Sequence, residues 1–304
     1  MKNAAAKYGV VTQMGNQGHS GEGVRHLCEM VWAGFIGDVK EVHAWTNRPI
    51  WPQGIPDPLP KEPIPETLDW DLWIGTAQMR DYNSKYCPFN WRAWFDFGCG
   101  ALGDMACHIL DPANFALQLS SAAKITVECI KIDGKNHHTY PNKSVVRFDF
   151  SARGTMPPVT LYWYDGGLLP PRPAGIKEDV KLGEGDNGSL FIGTQGVMTT
   201  GCYGDDSRLL PLELNKEKGR PTRMLNRTPG PGSPYLDWIR ACMGGDPAFS
   251  HFEYSAPFTE WVNLGIIALR VEGKLTWDNV KKQFIGSPAA NKMTKPFIRK
   301  GWKI

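Results

Sequence analysis

The stretch Gly98-Cys-Gly-Ala-Leu-Gly-Asp-Met-Ala-Cys-His108 decides how this chain is read. Three glycines open it and a helical pattern follows at once. Asp104 and His108 stand one turn apart, on one helix face. Leu102, Met105, Ala106, Ile109 and Leu110 are free to bury the other side. A carboxylate and an imidazole at the start of a glycine-opened helix suit proton transfer; an exposed i,i+4 pair is the other reading. The glycines also spell G-x-G-x-x-G, the dinucleotide fingerprint, with a candidate strand at 94–97 before it and a second strand ending near Glu128. Two features oppose that reading. The preceding Trp91-Arg-Ala-Trp-Phe-Asp-Phe97 is bulky and charged, unlike a buried parallel strand, and Asp104 sets a negative charge where the pyrophosphate would sit.

Just upstream, an aromatic loop runs from Tyr82 to Phe97, and Leu68–Gly75 reads as a short helix that plugs in its aromatic side chains. Before that, prolines at 49, 52, 56, 58, 60, 63 and 65 exclude regular structure and predict a long ordered loop. The alternation in 38–47 predicts a strand, and Ser20 opens an amphipathic helix with Val24, Leu27, Cys28 and Val31 on one face. Gly34 and Gly37 close that helix. The chain starts with a helix end at 2–8, stopped by Gly9, and a short strand at 10–13.

Downstream, Pro112 should kink or divide the central helix. The texture then changes to strands at 124–132, 143–150 and 159–164, with a hairpin of 189–193 and 196–200 across Thr194-Gln195. Pro/Gly-rich loops are expected at 166–188 and 215–231. Helices should follow at 233–243 and 256–272, and a short final turn at 276–280. Helices, then hairpin-linked strands, then helices again make an α+β fold: one open, mostly antiparallel sheet with helices packed on one face.

The 304 residues can hold two ordinary domains or one large one, and 41% hydrophobic residues supply a sizeable core. A net charge of +3 without a basic block gives no sign of nucleic-acid binding. No apolar run reaches membrane-spanning length, and Met1 does not begin a signal peptide. Seven scattered cysteines without C-x-x-C pairs point to reduced thiols, not to disulfides or a zinc site. His137, His138 and His251 have no partners at metal-ligand spacing, so no metal site is expected. Cys99 and Cys107 flank the helix without a nucleophile's surroundings. Twelve tryptophans suit sugar-like ligands as well as core packing.

With these residues in view, the chain resembles the Gfo/Idh/MocA family of NAD(P)-dependent oxidoreductases. Asp104 and His108 fall on the positions of the family's G-G-x-x-x-D-x-x-x-H-type helix. The opening Tyr8-Gly-Val-Val-Thr-Gln-Met-Gly-Asn-Gln-Gly-His-Ser20 is similar to the end of the family's nucleotide domain and its crossing into the substrate domain. Trp45-Thr-Asn-Arg-Pro-Ile-Trp-Pro52, Trp91–Asp96 and Trp163-Tyr-Asp-Gly-Gly167 resemble one sugar-active branch.

The resemblance implies a division at 1–19, a remnant of the Rossmann domain, and 20–304, a substrate-binding and oligomerisation domain. It reassigns Gly98–Gly103 to the substrate domain. It implies His108 as base and Asp104 as its orienter or a contact to a neighbouring sugar hydroxyl. Asn16, Gln17 and His19 are expected at the crossover, facing substrate and, for Asn16 and Gln17, the nicotinamide; turn chemistry explains the same Gly/Asn pattern. Arg25, Trp45, Asn47, Arg48, Trp91, Arg92, Tyr164 and Asp165 are the further substrate candidates, Arg25 being equally a surface charge. The family's Glu-Lys-Pro motif has no counterpart here. The expectation is therefore a fragment that does not bind NAD or NADP with normal affinity and is inactive alone. Its ligand would be a sugar, polyol or glycoside, and its partner a second copy across the open sheet. NAD-dependent glycoside cleavage by oxidation, elimination and reduction, and a non-catalytic carbohydrate-binding or dimerisation module, are the alternatives. Cellular location stays open.

Overall fold

The computed structural model describes residues 1–303. The chain opens with α1 (Lys2–Tyr8), closed by Gly9 in the left-handed region at φ 60°. A 3-10 turn, Gln17–Ser20, leads into α2 (Glu22–Trp32), which buries Val24, Leu27, Cys28 and Met30. Strand β1 (Val39–Trp45) follows. The proline-rich stretch carries α3 (Trp70–Ile74), N-capped by Asp69. The central helix α4 (Gly100–Ile109) is separated from α5 (Asp111–Leu117) at Leu110, with Pro112 in the first turn of α5 as expected.

The strands β2 (Lys124–Asp133), β3 (Lys143–Phe150), β4 (Val159–Tyr164), β5 (Gly188–Gly193), β6 (Val197–Thr200) and β7 (Arg208–Leu210) come next. Helices α6 (Leu214–Lys218), α7 (Pro229–Gly232), α8 (Pro234–Cys242) and α9 (Phe252–Ala268) precede β8 (Leu275–Asp278), β9 (Gln283–Ile285) and α10 (Pro288–Met293). The nine strands form one open sheet in the order β7-β6-β5-β1-β4-β3-β2-β8-β9. Every neighbouring pair is antiparallel except β1 with β4, where Trp45 stands beside Tyr164.

Alternation assigns the faces. Val146, Phe148 and Phe150 of β3, and Val159, Leu161 and Trp163 of β4, are buried against the helices. Phe148 and Phe150 meet Trp261 of α9 edge-on at 5.4 and 5.1 Å. Gly265 of α9 is required there: a Cβ would fall 2.6 Å from Phe148 and 2.7 Å from Leu102 of α4. On the opposite face the His43 and Tyr162 rings stack 5.0 Å apart, while Trp45 and Leu190 are buried there against Ile176, Val180 and Leu182 of the loop after β4.

A second small core lies off the sheet, where Trp51, Trp70, Ile74, Tyr82, Tyr86 and Trp94 pack together. The C-terminal tail is fastened to it: Arg299 donates through its backbone N–H to Thr76 at 2.9 Å and through its side chain to Asp71 at 2.6 Å and Gly75 at 3.0 Å.

Several expectations are corrected. Residues 10–13 are not a strand; Val10 and Val11 are exposed and no strand pairs with them. Residues 94–97 contribute only an isolated bridge from Trp94 to Thr139. The expected final turn at 276–280 is strand β8, recruited to the sheet edge by β2. Helix α9 starts at Phe252 and runs through Pro257. Loop 215–231 contains α6 and α7.

Candidate functional site

The three glycines of the central stretch serve packing. A Cβ at Gly98 would lie 2.5 Å from the Arg92 backbone, and one at Gly100, where φ is +60°, would lie 2.5 Å from the Tyr140 ring. At Gly103 it would meet the Cβ of Cys99. No parallel strand feeds the turn, and Tyr140 stands on its middle glycine. The turn therefore does not fit a dinucleotide phosphate, and the fingerprint reading is excluded.

What the glycines deliver is α4, with His108 half-buried in its last turn. The His108 Nδ1–H donates to the Asn16 side-chain carbonyl at 3.1 Å. Nδ1 then carries the proton, and Nε2 is left as an acceptor. Burial pushes the His108 pKa down; Asp104 and Asp111 oppose that more weakly. The imidazole is thus neutral at physiological pH, the state a base needs.

Asp104 does not touch His108 through a hydrogen bond of its own. It takes Arg92 Nε at 2.9 Å, in a partly exposed pair. The Arg92 guanidinium lies 4.5 Å from the Phe89 ring centre and 4.6 Å from that of Trp91, with Trp51 at 5.7 Å. Arg92 therefore clamps Asp104, with the Trp91 ring against its guanidinium.

Gln17 is exposed beside Asn16 and donates to the Tyr203 hydroxyl at 3.1 Å. Tyr203 meets His108 edge-on, ring centres 5.3 Å apart. Asn47 donates to Asp186 at 3.1 Å, and Arg48 to Asn47 at 2.7 Å, beyond the ends of the parallel β1 and β4. Loop 184–187 links this group to the first, since Glu184 accepts from the backbone N–H of Cys202.

Other candidates are placed elsewhere. Trp45 is buried and donates to the Gly185 carbonyl at 2.8 Å. Arg25 is 1% exposed, gives its guanidinium to the carbonyls of His19, Gly21 and Asn226, and stacks on Phe249 at 4.1 Å. Asp165 is sealed under the sheet end, accepting from Ser144 and from Trp163 Nε1; burial raises its carboxyl to about 7. Tyr164 faces the outer side of the sheet and bonds His43 at 3.0 Å. These four side chains are held by internal partners, so their expected substrate contacts are withdrawn.

His19 is also buried, 1% exposed, and belongs to a network with no local sequence signal. Its Nδ1–H donates to Asp111 at 2.7 Å, and the Tyr254 hydroxyl donates to the same carboxylate at 2.6 Å. Asn114 donates to Tyr254 at 3.1 Å and accepts from Trp261 Nε1 at 3.0 Å. This network anchors the Gln17–Ser20 turn to the start of α5, and so holds Asn16 against His108. An aspartate before a proline signals a helix start in sequence; nothing local marks its partners. Among the described residues no three His, Cys, Asp or Glu side chains gather as a metal site. No helix among them is long and apolar enough to cross a membrane.

The model of the oxidoreductase family, C-terminal alpha/beta domain (Gfo/Idh/MocA), matches residues 35–193 and 233–304, well over half of the chain. The chain belongs to the Gfo/Idh/MocA family. Among solved structures it is similar to the WlbA dehydrogenase from Bordetella pertussis in complex with NADH and UDP-GlcNAcA, at 10% identity and a TM-score of 0.51, over 90% of this chain and 66% of that one. An NAD-binding protein from Listeria innocua matches at 11% identity and a TM-score of 0.51, over 90% and 69%. The aldose-aldose oxidoreductase from Caulobacter crescentus, complexed with glycerol, matches at 12% and 0.49, over 90% and 66%. The chain spans about two thirds of the length of these structures. No curated protein matches it. The likeness to the Bordetella and Listeria structures shows the fold. Within the family match, His108 and Asp104 lie in the first segment, whereas Asn16, Gln17 and Tyr203 lie outside both.

Proposed function

We propose that this member of the oxidoreductase family supplies the substrate-holding and proton-transfer side of an NAD(P)-dependent oxidation or reduction of a sugar, polyol or glycoside. The observation that carries the reading is His108: neutral, with Nδ1 tied to Asn16 and Nε2 left bare. Oxidation of a secondary alcohol removes a hydride from carbon and a proton from oxygen, and Nε2 is the group that takes the proton. In the reverse direction the imidazolium returns it. Asp104, on the same helix as His108 and fixed by Arg92, is a partly exposed acceptor for a ligand hydroxyl. The cofactor and the sugar class come from the family and from the NADH and UDP-GlcNAcA of the Bordetella relative. Since the Gly98–Gly103 turn does not fit a dinucleotide, no step is assigned to the cofactor through it. The partner fitting the outer sheet face is a second copy of the chain.

The test is binding, read at the site itself. A panel of D-glucose, myo-inositol and methyl β-D-glucopyranoside is titrated against the chain, and the His108 Cε1–H resonance is followed by NMR. The expected result is a saturable shift with at least one probe, and His108→Asn should lose that binding when followed by isothermal titration calorimetry. Absence of any response up to the solubility of all three probes would overturn the reading. Titration with NADH, followed by its fluorescence, is expected to show no tight saturable binding.

A further inference from the structure

The turn between β6 and β7, residues 201–205, is pressed against the Asn16–Gly18 segment and the start of α2 without space to spare. A Cβ at Gly18 would stand 2.5 Å from Tyr203 Cδ1, and one at Gly23 would stand 2.7 Å from the Gly204 carbonyl oxygen. Gly204, at φ +78°, would meet the Val24 amide at 2.9 Å. Glycine at all three positions is what lets the two distant segments touch.

The turn is also tied internally. Gly201 N–H donates to Asp205 O at 2.8 Å, the Thr200 hydroxyl to the same carbonyl at 3.1 Å, and the Ser207 hydroxyl to Gly204 O at 2.8 Å. Glu184 holds the Cys202 amide from the far side. Tyr203 is thereby fixed in direction before any ligand arrives, the condition for a group that selects by hydrogen bonding.

Its hydroxyl has one bond, accepted from Gln17 Nε2 at 3.1 Å. An oxygen that accepts from an amide keeps its own proton to donate. Burial raises the phenol's pKa, so that proton stays in place at neutral pH. The ring stands edge-on to His108, centres 5.3 Å apart at 73°, and both side chains are half-buried. Ring centres this close are within the reach of one polyoxygenated ligand.

We infer that Tyr203 is a specificity-determining residue of the His108 site, donating its O–H to a second oxygen of the ligand whose first oxygen is held at His108 Nε2. The site then takes polyoxygenated ligands and discriminates against simple secondary alcohols, because an unmatched buried donor costs binding. This rests on the proposed role of His108. It goes beyond it in assigning a ligand contact to residues 194–232, the stretch between the two segments that match the family.

Tyr203→Phe keeps the ring on Gly18 and His108 and removes only the hydroxyl. For the probe that shifts His108 in the wild-type chain, Tyr203→Phe is expected to weaken binding about tenfold. The His108 titration midpoint in the free protein should stay unchanged. Gln17→Ala, at an exposed position, leaves the fold intact and frees the phenol from its fixed direction; its binding should also weaken. A probe that shifts His108 and binds Tyr203→Phe and Gln17→Ala as tightly as wild type overturns the inference and leaves the role of His108 standing. A panel in which no probe moves the His108 resonance overturns both.

Discussion

At His108 one hydrogen bond decides which ring nitrogen can act. Asn16→Asp would put a carboxylate on Nδ1 and favour the imidazolium, raising the His108 pKa; an NMR titration that finds the midpoint unmoved would contradict the contact. The present downward shift has a consequence for stability. The folded chain binds this proton more weakly than the unfolded chain, whose histidine titrates near 6.5. Unfolding free energy therefore falls as pH drops from about 6.5 through the lower folded value, and is unaffected by this group above it. His108→Asn should flatten that slope in urea titrations at pH 5 and pH 8. Arg92→Ala should leave the fold intact, since its pair with Asp104 is partly exposed. His108 and Asp104 could be read from four-residue spacing and the family signature. Tyr203 could not: Gly201-Cys-Tyr-Gly204 is a bare turn signal, and its place over His108 is set by contacts between segments far apart in the chain.

Among the elements, α5 and α9 hold the site from beneath. The Asp111 carboxylate is buried between His19 and Tyr254, so Asp111→Ala strands both donors and should cost about 3–5 kcal/mol. Tyr254→Phe removes one charge-assisted hydrogen bond and should cost about 1.5–3 kcal/mol. Urea denaturation measures each. Gly265→Ala, which drives a methyl group into Phe148 and Leu102, should cost about 1–3 kcal/mol by overpacking. Strands β2, β3 and β4 were legible because each alternates, with one face against α9. The position of β1 between β5 and β4 was not, since a parallel neighbour more than a hundred residues away leaves no local trace. Helix α9 was misplaced at its start because Pro257 reads as a first-turn residue; tertiary packing of Phe258 and Trp261 carries the helix through it.

For the molecule as a whole, the open sheet leaves one broad side without helices. His43, Tyr162 and Tyr164 lie there in a stacked row, with Arg147 and Asp149 paired at 2.9 Å beside them. A second copy meeting this face would give a dimer in light scattering after size-exclusion chromatography, and Tyr162→Glu should return the monomer. A wild-type chain that runs as a monomer at micromolar concentration would remove that proposal.

The fastening of the tail at Arg299 can be read in fluorescence. Three hydrogen-bonded contacts join this residue to Asp71, Gly75 and Thr76, at the base of the stacked Trp70 and Trp73. Arg299→Ala should loosen the indole pair, and the loss should be visible as a red shift of tryptophan emission in an otherwise folded sample.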